Sequence, residues 1–161
     1  MYNKVLNTPT AAREEAAVSN SLCDLDFYAW ANQQAALLRA GRLTDADIEH
    51  IAEEIESMGR SEKRELVNRL SVLLLHLLKW RFQPGLHSNS WRLTIEEQRY
   101  RLEDHLKDNP SLKAQLGQAI RDAYRLALVE AERETGLARA TFLTECPYIY
   151  DEAMSPDFWP E

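Results

Sequence analysis

Apolar residues recur along most of this chain at the three-to-four residue spacing of one helical face, and no run of β-branched residues alternates strictly with polar ones. Phe27, Trp30, Ala31, Gln34 and Leu38 form the first such stripe, with Asp24 placed to cap it and Gly41 to end it. A second start follows at Thr44, with Asp47 three residues on as a variant of the capping box. Ile48, Ile51, Ala52 and Ile55 then share one side. Gly59 and Ser61 leave two readings open: a break with Ser61 capping a new helix, or one helix from about Ala46 to Phe82. Leu66, Leu70, Leu73, Leu74, Leu77 and Leu78 make the strongest stripe of the chain, the expected centre of the core. Pro84-Gly85 closes it, because proline has no amide hydrogen for the ladder.

Ser90 reads as the cap of a third helix on which Trp91, Ile95, Leu102 and Leu106 share one side. Asn109-Pro110 ends that helix and opens a fourth, with Asn as cap and Pro at the first helical position. Leu112, Leu116, Ala119, Ile120, Ala123, Ala127 and Ala131 carry it towards Gly136. Beyond lies an aromatic tail, Phe142, Tyr148, Tyr150, Phe158 and Trp159, too apolar to be left in water and therefore expected to be ordered. Residues 1–21 read as an N-terminal arm with too little apolar surface to fold without a partner. The pattern thus predicts an all-α, single-domain bundle of four main helices over residues 22–161.

Composition narrows the function classes. A chain of 161 residues suits one domain, and 45% hydrophobic residues argue against disorder. The formal net charge of −7 argues against nucleic acid and, more weakly, against anionic membranes. The longest purely apolar run, Val72-Leu73-Leu74-Leu75, is far below the roughly 20 residues that span a bilayer. The first residues contain no apolar stretch of the secretory kind. Cys23 and Cys146 form no CxxC and no disulfide framework, so a reducing cytoplasm is the expected location.

Several segments appear in a characteristic order. They are Asp26-Phe27-Tyr28-Ala29-Trp30, Gln34-Ala35-Ala36-Leu37-Leu38-Arg39, Ala52-Glu53-Glu54-Ile55-Glu56-Ser57-Met58-Gly59-Arg60-Ser61-Glu62 and His76-Leu77-Leu78-Lys79-Trp80. Ser90-Trp91, Glu97-Gln98-Arg99, Cys146-Pro147-Tyr148 and Asp157-Phe158-Trp159-Pro160 complete the set. In combination these resemble the bacterial domain-of-unknown-function family numbered twenty-nine, over about residues 22 to 161. The resemblance implies an all-helical fold and supplies no activity, cofactor or catalytic residues to carry over.

Two constellations could carry chemistry. His50 with Glu53 or Glu54 has the i,i+3 and i,i+4 spacing from which helical bundles build carboxylate–histidine metal sites. The order there is Glu-x-x-His, however, and acids in a first turn are favoured by the helix dipole in any case. The second constellation lies beside the leucine stripe. Glu62, Arg69 and His76 follow one another at heptad steps, with Gln98, His105 and Glu130 close to the apolar stripes of the third and fourth helices. They could form a polar layer that binds a ligand, or a hydrogen-bonded network joining helices, with His76 bonded across to Gln98 or Glu130. No glycine-rich phosphate loop, nucleophile elbow or zinc-type Cys/His cluster is present. The expected function is therefore a non-catalytic helical module that self-associates or binds another protein, without a cofactor. The alternative is a metal- or small-ligand-binding bundle, hydrolytic in one version, built around His76. The motifs leave enzymatic activity undecided.

Overall fold

Leu66, Leu70, Leu73, Leu74, Leu77 and Leu78 are at most 1% exposed and lie at the centre of the core, as their spacing predicts. The structure, a computed structural model, describes residues 22–161, so the arm at 1–21 lies outside it. Four long helices carry the fold, and no strand occurs among the described residues. They are α1 (Phe27–Arg39), α2 (Ile48–Phe82), α3 (Asn89–Asp108) and α4 (Leu116–Thr135), followed by a short α5 (Tyr150–Met154). Short 3-10 segments connect them at Leu43–Asp45, Pro84–Leu86, Pro110–Gln115 and Arg139–Thr141. The described chain clusters into two compact units, one ending at Met58 and the other Gly59–Glu161.

In the first unit, α1 is capped by Asp26, whose side chain accepts from the Ala29 N–H at 3.0 Å. The cap falls two residues later than Asp24, because residues 22–25 form a helical turn of their own and the chain re-enters the helix at Asp26. Gly41, at φ +69°, lets the Arg42 and Gly41 amides reach back to the Leu37 and Leu38 carbonyls, a Schellman ending. The start of α2 is set by Asp47 and not by Thr44, whose segment is drawn into a 3-10 turn closed by the Arg42–Asp45 ion pair. Asp47 accepts from the His50 N–H at 3.4 Å, and its own N–H donates to Gln34 Oε1 at 2.9 Å.

Of the two readings at Gly59, the continuous helix is the one found. A lone glycine costs about 1 kcal/mol in a helix, well short of proline's penalty, and Ser61 accepts from Arg64 without acting as a cap.

The second unit owes its core to the remainder of α2 together with Ile95, Leu102 and Leu106 of α3 and the alanine face of α4. Ala119, Ala123, Ala127 and Ala131 are fully buried and form the face that α4 turns to the core. Ser88, not Ser90, caps α3 through the Trp91 N–H at 3.2 Å. Ser90 lies one residue inside the helix, where its carbonyl accepts from the Thr94 hydroxyl. Asn109 does not cap with its side chain, which donates to Glu62 Oε2 and to the His105 carbonyl; a 3-10 stretch from Pro110 precedes α4. The aromatic tail is built into this unit. Phe142 and Tyr148 are buried, Phe142 meets Phe82 edge-on, and Trp159 packs on Trp80 at 4.6 Å. Among the described residues no helix is long and apolar enough to cross a membrane.

Candidate functional site

The residues of the expected polar layer resolve into separate local pairs. His76 is half-buried, and its Nδ1–H donates to the Val72 carbonyl one turn back at 2.8 Å. Burial holds its pKa below the ordinary histidine value, against the opposing pull of the Val72 carbonyl; Lys79 lowers it further and Glu134 raises it. The expected bonds from His76 to Gln98 or Glu130 are not formed. Glu130 binds Arg133 at 2.8 Å, and the Gln98 side chain makes no hydrogen bond among the described residues. Arg69 pairs with Glu65 along its own helix. Glu62 and His105 do meet: His105 Nε2–H donates to the Glu62 carbonyl at 3.0 Å, and its Nδ1 lies 3.8 Å from Glu62 Oε2. That contact joins α2 to α3 beside the Asn109 amide.

Two buried cations do the cross-linking that the sequence reading assigned to His76. Lys79 is 7% exposed, reaches Glu134 Oε2 at 2.6 Å and lies 4.5 Å from the centre of the Trp91 ring, so one ammonium ties α2 to α3 and α4. Arg99 is 6% exposed and holds the tail. Its Nε–H and Nη2–H donate to the carbonyls of Ala153 and Phe158, each at 2.9 Å, and its guanidinium lies over Trp159. Its Nη1 is buried with no partner among the described residues. The desolvation lowers the Arg99 pKa, and Glu96 opposes the shift. A signal for Arg99 was present in the sequence, because it stands four residues after Ile95 and three before Leu102, inside the apolar stripe of α3.

At the start of α2 the candidate metal ligands do not converge. His50 Nδ1 is engaged by Asp47 at 2.8 Å, which raises the His50 pKa. Among the described residues no group of three or more His, Cys, Asp or Glu side chains is placed to hold a metal ion. Glu53 and Glu54 have no ion-pair partner among them either. On the outer side of α4, Asp122, Arg125, Leu126, Leu128, Val129 and Arg139 line an open groove of about 490 Å³ without a convergent set of polar groups.

The feature that stands out is a surface. Eight of the fifteen large hydrophobic residues exposed among the described residues fall between positions 22 and 58, although Gly59–Glu161 is far longer. Leu25, Tyr28 and Met58 are the most open of these eight, and among the described residues of that unit only Trp30 and Gln34 are buried. The same residues carry most of the formal net charge: Asp24, Asp26, Asp45, Asp47, Glu49, Glu53, Glu54 and Glu56 against Arg39 and Arg42 sum to −6 out of a total of −7.

A model of the family described as "Domain of unknown function DUF29" matches residues 22–159. No curated protein and no solved structure matches the chain.

Proposed function

The chain belongs to the DUF29 family, and we propose that it acts as a non-catalytic helical module that associates with a second copy or with another protein. One observation carries this reading: most of the large apolar side chains of residues 22–58 are turned to water, and among these residues only Trp30 and Gln34 are buried. Exposed apolar surface concentrated in one place is the usual mark of an interaction site. The local satisfaction of His76, Arg69 and Glu130 by neighbours on their own helices supports a structural role for the polar positions over a ligand pocket. A cytoplasmic location fits the two unpaired thiols, Cys23 and Cys146.

Photo-crosslinking in cells from position 28, which is 79% exposed, tests the reading. Discrete adducts are expected from that position and not from exposed Arg121 on α4. Sedimentation of the purified chain then tells a self-adduct from a foreign one. Background of equal strength at both positions removes the reading.

A further inference from the structure

The groove beside α4 is lined by five residues of that helix and by Arg139 of the 3-10 segment that follows it. At about 100° per residue Arg125 and Val129 point away from the alanine face that α4 turns to the core. Leu126, Leu128 and Val129 give the groove an apolar lining, and Leu126 and Val129 remain 47% and 43% exposed. Its three charged side chains differ in how they are engaged. Arg139 donates to Glu132 Oε2 at 3.0 and 2.7 Å, and Asp122 Oδ1 accepts from the Gln118 amide at 2.9 Å. Arg125 makes no hydrogen bond or ion pair among the described residues.

Size and charge decide the occupant. At about 490 Å³ the groove lies within the range of small-molecule sites. Its few lining residues fall well short of the roughly 20–30 that each side of a stable protein interface contributes. The unengaged guanidinium calls for an acid, and its planar fork matches a carboxylate. Asp122 beside it disfavours a head group with two negative charges. The leucine and valine side chains call for a hydrocarbon portion. We propose that this groove binds a small amphiphilic carboxylate, with its alkyl chain against Leu126, Leu128 and Val129 and its head group on Arg125. The site is independent of the apolar surface of residues 22–58 and belongs to the other unit.

The experiment titrates the isotope-labelled full chain with octanoate, octanol and acetate, and follows amide chemical shifts. Octanoate is expected to give saturable shifts at residues 122–129 and at Arg139, and to bind about tenfold more tightly than octanol at low salt. Added salt should narrow that ratio. Acetate, which has the head group without the chain, should give no saturable shift. Arg125→Gln should reduce octanoate to the affinity of octanol, while Arg125→Lys should keep a preference for the acid. Val129→Ser should weaken octanoate and octanol alike, by about threefold to tenfold. Both positions are exposed, and an otherwise unchanged amide spectrum verifies that the variants remain folded. Equal affinity for octanoate and octanol, or an Arg125→Gln variant that binds octanoate as the parent does, overturns the proposal. So do shifts confined to residues 22–58, or the lack of any saturable shift below the concentration at which octanoate forms micelles. Each of these results leaves the association reading untouched.

Discussion

His50 and His76 respond to pH in opposite directions, because Asp47 favours the charged form of the first and burial favours the neutral form of the second. Burial places the His76 pKa below its unfolded value near 6.5, so its contribution is complete above that value and falls as pH drops towards the folded pKa. Asp47 places the His50 pKa above its unfolded value, so the His50 contribution is complete at low pH and is lost as pH rises through the folded pKa. Thermal melts between about pH 7.5 and about pH 5.5 should show Gly59–Glu161 losing stability with acid. His76→Leu should flatten that dependence, and an unaltered slope in the variant would assign it elsewhere. The Lys79–Glu134 pair has a similar asymmetry. The Lys79 side chain is 9% exposed and that of Glu134 is 41% exposed. Glu134→Leu leaves a buried ammonium with only an indole face, whereas Lys79→Met removes the buried charge itself. Denaturant titration should give a loss of about 1–3 kcal/mol for the first and a smaller loss for the second. The reverse order would contradict the burial argument.

At the scale of elements, two glycines separate propensity from conformation. Gly59 lies in the interior of α2 and has open space where a Cβ would stand, so Gly59→Ala should raise stability by about 0.5–1 kcal/mol. Gly136 ends α4 at φ +70°, and Gly136→Ala should lower stability by about 1–2 kcal/mol even though its surroundings are equally open. Melting temperatures that move in the same direction would refute the contrast. The elements themselves were largely legible. Helical periodicity located four long helices, Pro84 and Gly136 marked their ends, and the leucine stripe marked the core. Caps were less legible, because Asp24, Thr44 and Ser90 are acceptable by residue type. The choice of Asp26, Asp47 and Ser88 depends on how the preceding residues turn. The candidate site was least legible. Heptad steps align Glu62, Arg69 and His76 on one flank, but helical spacing cannot show that Arg69 and His76 find partners within their own turns, that Glu62 meets His105 and Asn109 instead, or that Lys79 and Arg99 make the long connections.

For the molecule as a whole, hydropathy read along the chain gives apolar stripes without saying which are covered. That is why Ile48 and Ile55 read simply as part of an apolar face and their exposure had to come from the structure. The total charge was equally uninformative about its own distribution, since nearly all of it lies between residues 22 and 58. The tail presents a different matter, one of timing. Arg99 reaches carbonyls 54 and 59 residues further along the chain. Closing loops of that length is slow beside the formation of α3 and α4, whose ladders are local, so the tail should dock after the folding barrier has been crossed. Arg99→Met should then lower stability by about 1.5–3 kcal/mol almost wholly by accelerating unfolding, with the folding limb of a stopped-flow chevron nearly unmoved. A matching slowdown in folding would place the tail in the nucleus. If the limb stays put, the Arg99 clasp governs how long a folded molecule lasts, while the leucines of α2 govern how readily it forms.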